Sequence, residues 1–130
     1  MTLDDFLAEW NNPGSTILVH TSGSTGMPKP MRVEKKRMLN SAKITCDFLG
    51  LKAGDKALLC MPLEYIAGKM VVVRSIEHHL QLICVEPSGH PLEHVTTPLD
   101  FAAMVPMQVY NSLKVPEERE KLRSIRHLII

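Results

Sequence analysis

Thr16-Ile17-Leu18-Val19-His20-Thr21-Ser22-Gly23-Ser24-Thr25-Gly26-Met27-Pro28-Lys29-Pro30-Met31-Arg32-Val33 is the stretch on which the reading of this chain turns. The apolar run at 16–19 has the composition of a strand. After it, Thr21, Ser22, Ser24 and Thr25 supply hydroxyls, Gly23 and Gly26 let backbone N–H groups approach closely, and Lys29 supplies a mobile positive charge. A loop built this way suits a polyphosphate, because hydroxyls and N–H groups donate to its oxygens and the lysine offsets its charge. A flexible Ser/Gly linker has a similar composition, but the Pro-Lys pair and the flanking strand pattern argue against one. Met31 to Val33 reads as a return strand, which puts the loop at the tip of a hairpin. Pro28 and Pro30 bracket Lys29. A residue before proline is driven out of the helical region, so Lys29 is expected to be extended.

The spacing separates this loop from other phosphate loops. A Walker A loop needs four residues between its glycines and a Gly-Lys-Ser/Thr ending, and a dinucleotide fingerprint needs G-x-G-x-x-G. Neither is present. The run resembles instead the signature loop of the adenylate-forming enzymes: acyl-CoA synthetases, luciferases and peptide-synthetase adenylation domains. That signature reads Thr-Ser-Gly-Ser/Thr-Thr-Gly-x-Pro-Lys-Gly. The match runs from Thr21 through Lys29 and fails at Pro30, where the family has Gly.

Composition sets the outer bounds. A chain of 130 residues with 45% hydrophobic and 22% charged residues is one domain's worth of globular sequence, long enough for a real core. A net charge of +1 gives no electrostatic case for nucleic acid or an acidic membrane as partner. No apolar stretch reaches the length of a membrane span, and the acidic start lacks a signal peptide's basic and apolar regions. Cys46, Cys60 and Cys84 form no C-x-x-C pair and read as small buried hydrophobes of a reducing cytoplasm. His90 and His94 are four apart, but Pro91 between them argues against a helical metal pair. The histidines read as surface or helix-end residues.

Along the chain, apolar residues at 3, 6, 7 and 10 predict a short amphipathic helix. Lys35 to Leu49 carries a helical stripe, and Gly50 is placed to end it in the left-handed conformation. Lys56 to Met61 and Gln81 to Val85 read as strands, with a helix over Tyr65 to His79 between them. Phe101 to Val105 is expected to be extended. Pro106 suits the first turn of a helix to about Leu113, Val115-Pro116-Glu117 starts another, and Arg126 to Ile130 is a strand. Strands alternating with helices predict an α/β fold, layered, with a largely parallel sheet flanked by helices. Strands 16–20 and 56–61 are expected to form the ordered core, buried on both faces. Without a ligand the loop at 22–27 is expected to be among the most mobile segments.

The resemblance extends beyond the loop. Asp55 to Pro62 resembles the family's Gly-Asp strand leading to a Pro-Leu turn. Tyr65-Ile66-Ala67-Gly68 falls where the family has an aromatic-His-x-x-Gly segment lining the acyl pocket, with Tyr65 in place of the His and Glu64 in place of the aromatic. Met104-Val105-Pro106 resembles the later Val-Pro that opens a helix, and Leu128-Ile129-Ile130 the strand that leads to the adenine site. Within the family, Phe48 to Asp55 and Cys60 to Met70 are most similar to the bacterial ligases that join o-succinylbenzoate to coenzyme A in menaquinone synthesis.

The resemblance implies the following. The chain is a single piece, 1–130, of the N-terminal AMP-binding domain of a cytoplasmic AMP-forming acid–CoA ligase, inactive by itself. The parent takes ATP with Mg2+, a small carboxylic acid and coenzyme A. Thr21, Ser22, Gly23, Ser24, Thr25, Gly26 and Lys29 hold the ATP phosphates, and Tyr65, Gly68 and Lys69 belong to the acyl pocket. Lys69 reads either as a cation for the second carboxylate of o-succinylbenzoate or as a solvated helix lysine. The metal-binding glutamate and the adenine- and ribose-binding residues lie downstream, so no metal ligand is expected in this chain. The last residues, His127 to Ile130, stop inside an apolar strand whose bare edge is expected to pair with a neighbouring chain. A non-catalytic phosphate-binding module, or a ligase for a fatty or aryl acid, are the alternatives.

Overall fold

The computed structural model describes residues 1–21, 27 and 29–130. Strand β1 (Thr16–Thr21) and strand β2 (Lys29–Glu34) form an antiparallel hairpin, in register from Thr16↔Glu34 to Thr21↔Lys29. Lys29 is therefore extended, as the flanking prolines require. Four further strands make a parallel sheet in the order β4-β3-β5-β6: β3 (Lys56–Leu59), β4 (Gln81–Cys84), β5 (Phe101–Ala103) and β6 (His127–Ile129). Each expected strand and helix is present among the described residues, and the α/β class holds.

Helix α1 (Leu3–Trp10) begins with a reciprocal cap. The Asp5 N–H donates to the Thr2 hydroxyl at 3.1 Å, and the Thr2 N–H donates to the Asp5 carboxylate at 2.9 Å. Its stripe buries Phe6 completely, a burial worth about 2–3 kcal/mol. Helix α2 (Lys35–Leu49) buries Met38, Ala42 and Cys46, one turn apart on one face, and ends at Gly50 with φ 70°.

Helix α3 (Ile66–His78) connects β3 to β4 and packs on α2, β1, β3 and β4. Covered on several sides, it buries every residue from Gly68 to Val73, among them Val71, Val72 and Val73 in succession. Tertiary packing here overrides the modest helix propensity of valine. Helix α4 (Pro106–Lys114) and helix α5 (Pro116–Ser124) both start on a proline, whose missing N–H costs nothing at that position.

Two expectations about burial are corrected. Strand β1 buries Ile17 and Val19 but exposes Leu18, because the hairpin lies outside the parallel sheet and is covered on one face only. Strand β3 does behave as a strand covered on both faces, with Ala57, Leu58 and Leu59 all buried. Cys84 is exposed, whereas Cys46 and Cys60 are buried. Cys84 sits on β4, an edge strand of the described sheet, where no neighbouring strand helps to cover it.

Candidate functional site

The hairpin, the first turn of α3 and the carboxyl ends of the parallel strands meet on one side of the molecule. His20, next to last in β1, makes an isolated parallel bridge with Tyr65, the residue that caps α3. The end of the hairpin is thereby fixed beside the start of α3. Thr21 and Lys29 face each other as the last pair of the hairpin, so the motif between them is its connection. Ser22, Gly23, Ser24, Thr25 and Gly26 lie outside the described residues, as does the expectation about the loop's mobility. Lys29 is exposed beside them.

The turn before α3 explains Gly68. A Cβ built on Gly68 would lie 2.3 Å from the carbonyl oxygen of Pro62 and 3.1 Å from that of Met61. Only a glycine lets the first turn of the helix rest on this backbone. Tyr65 is half-buried, and its carbonyl accepts from the Lys69 N–H at 3.2 Å.

Lys69 corrects one of the two readings given to it. It is 1% exposed, so it is not a solvated helix lysine. Its ammonium lies 5.2 Å from the centroid of the Phe6 ring and 3.2 Å from the Met1 sulfur, beneath α1. Burial pulls its pKa down, with Glu9 and Glu64 acting in the other direction.

A cavity of about 390 Å3 opens next to this turn. Its wall takes Met61 from the end of β3, Ile66, Ala67, Met70 and Arg74 from α3, Ala103 to Pro106 from the end of β5 and the start of α4, and Ile129 and Ile130 from the end of β6. The carboxyl ends of parallel strands are where open α/β sheets bind ligands. Lys69 is not part of this wall. The cation that is part of it is Arg74, whose guanidinium carbon lies 5.6 Å from the centroid of the Phe101 ring. Its Nε is buried without a hydrogen-bond partner among the described residues. Burial lowers the Arg74 pKa, though an arginine stays charged. The sequence did carry this signal: Ile66, Met70 and Arg74 repeat every four residues, so the arginine falls on an apolar face.

Cys60, which precedes Met61 in the chain, is buried and poorly placed to act as a nucleophile. Burial pushes its thiol up to about 12, and its Sγ donates to the Ala103 carbonyl at 3.4 Å. Among the described residues there is no group of three side chains able to hold a metal ion. His79 ends α3 with φ 55°, and the His90 Nδ1 lies 3.0 Å from the buried Glu118 carboxylate.

No protein-family model matches the chain. A 2-succinylbenzoate–CoA ligase of Haemophilus influenzae is 27% identical over 124 residues, which is 95% of this chain and 26% of that protein. The crystal structure of an acyl-CoA synthetase (AMP-forming)/AMP-acid ligase II-like protein from Dyadobacter fermentans superposes with a TM-score of 0.86 at 37% identity, over 95% of this chain and 36% of that one. The o-succinylbenzoate coenzyme A synthetase of Bacillus subtilis, solved with ATP and magnesium ion, shares the fold with a TM-score of 0.64 at 23% identity, over 78% of this chain and 23% of that one. The chain thus spans about a quarter to a third of the length of these proteins. In sequence and fold together the chain is similar to a segment of the acyl-CoA synthetases of the adenylate-forming superfamily.

Proposed function

We propose that the chain is part of the N-terminal AMP-binding domain of an AMP-forming acid–CoA ligase, and that the acid is o-succinylbenzoate. The observation that carries this reading is the junction at Tyr65: one bridge ties the phosphate-loop hairpin to a helix whose next residues wall a cavity at the strand ends.

In this reading the acid's carboxylate attacks the α-phosphorus of ATP, and the bond to pyrophosphate breaks. The thiol of coenzyme A then attacks the acyl carbon, and AMP leaves. Thr21, Ser22, Ser24, Thr25 and the N–H groups at Gly23 and Gly26 hold the β- and γ-phosphates. Lys29, held extended at the start of β2, offsets the charge that builds up on the departing pyrophosphate. Magnesium bound to the ATP would offset part of the charge on its phosphates.

Arg74 replaces Lys69 as the cation for the second carboxylate. An arginine with an unpartnered Nε in a mostly apolar wall is suited to pair with a carboxylate on an aromatic acid. The apolar majority of that wall also fits a second reading, a fatty or aryl acid without a second carboxylate.

The test is acid-dependent ATP–pyrophosphate exchange by the full-length protein. Exchange with o-succinylbenzoate at far lower concentration than with benzoate or a fatty acid is expected. A preference for either of those acids would favour the second reading. No exchange with any carboxylic acid would leave a phosphate-binding module without catalysis.

A further inference from the structure

Gln108, in the first turn of α4, is a polar side chain buried to 4% exposure, and no reaction step described above uses it. A buried amide is costly unless its hydrogen bonds are made. Here they are made to three separate segments. The Nε2 donates to the Cys60 carbonyl at 3.1 Å and to the Ser88 carbonyl at 3.0 Å, and the Oε1 accepts from the Val105 N–H at 3.0 Å. Cys60 follows β3, Ser88 lies in the loop after β4, and Val105 opens α4. Met61, next in chain to Cys60, and Val105 itself are both walls of the cavity.

We infer that Gln108 is a positioning residue for the acid pocket: its amide fixes the Met61 and Val105 walls and so sets the affinity for the carboxylic acid, not for ATP. The inference rests on the ligase reading above. The hairpin that carries the phosphate loop is held by β1–β2 pairing and by the His20–Tyr65 bridge, and neither involves Gln108. Losing the amide therefore loosens one pocket and leaves the other.

The experiment is steady-state kinetics on the full-length protein and two variants. Gln108→Leu keeps the volume but leaves two carbonyls and one N–H without their partner. A rise of roughly tenfold in KM for the acid is expected, with KM for ATP changed by less than about twofold. Gln108→Glu keeps the acceptor for Val105, and its neutral form can also donate to one carbonyl. Burial raises the pKa of the introduced carboxyl. Its KM for the acid should therefore be high around pH 8 and fall towards that of the unsubstituted protein around pH 6. An unsubstituted protein that adenylates no carboxylic acid would overturn the ligase reading and this inference with it. An active unsubstituted protein would overturn the inference alone if its variants raise both KM values alike or neither, or if Gln108→Glu shows no such pH dependence.

Discussion

Gly68 touches the backbone of Pro62 so closely that a methyl group on its α-carbon would meet the carbonyl oxygen at 2.3 Å. That oxygen also accepts from the Tyr65 N–H at 3.4 Å, so the turn cannot retreat without loosening the cap of α3. Gly68→Ala sets two effects against each other. Alanine gains about 1 kcal/mol of helix propensity over glycine. Overpacking against backbone costs about 1–3 kcal/mol and leaves no flexible side chain to yield. The clash is with backbone and should win, with a net loss of up to about 2 kcal/mol. A lowered thermal midpoint is expected, and an unchanged or raised one would contradict the packing described.

Lys69 makes the opposite prediction. Its folded-state pKa lies below the unfolded value, because burial disfavours the charged form. The sign follows from proton uptake. Between the two pKa values the unfolded chain binds more protons, so stability rises with pH there, and below both values the burial penalty applies in full. Lys69→Met removes the charge while keeping a flexible side chain of similar size. The cation–π contact with Phe6 is lost and offsets part of the gain. The variant should be more stable near neutral pH by about 1 kcal/mol. Its advantage should shrink as the pH climbs towards the ordinary lysine range. Denaturant midpoints of both proteins across this span measure it; a constant difference would show that Lys69 titrates alike folded and unfolded.

Much of the fold could be read from local pattern, and what could not shares one cause. Helix α2 was legible because its apolar stripe repeats every turn and Gly50 supplies the left-handed stop. The hairpin was legible because two strand patterns flank a loop of glycines and hydroxyls. Leu18 and Cys84 were misread because a strand's own residues do not say how many faces will be covered. Lys69 was missed as a buried lysine for a similar reason: what covers it is Phe6 and Met1, from the far end of the chain. Arg74 could have been found by extending the four-residue series from Ile66. Gln108 could not, since nothing in Pro106-Met107-Gln108 distinguishes a buried amide from a solvated one.

Lys29→Ala in the full-length protein should slow adenylation more than thioester formation. In the proposed reaction the lysine would act on charge that grows as pyrophosphate leaves, an interaction strongest in the first transition state. Loss of one such contact costs on the order of 3 kcal/mol, about a hundredfold in rate. Single-turnover measurements separate the two half-reactions. Equal slowing of both would place Lys29 in a general structural role and not at the leaving group.

Substitution of Arg74 tests the choice between the acids. Arg74→Met keeps the length and apolar stem of the side chain and removes the fork that would bind a carboxylate. If the second carboxylate pairs with Arg74, the variant should raise KM for o-succinylbenzoate by about ten- to a hundredfold, the loss expected for one charge-assisted hydrogen-bonded pair. Benzoate, which has no second carboxylate, should be used as poorly as before, so the discrimination between the two acids should collapse. Arg74→Lys should restore little of it, because an ammonium on a flexible stem cannot make the two parallel bonds. Equal losses for both acids would mean that Arg74 acts through its stacking on Phe101, holding the cavity open without touching the substrate's charge.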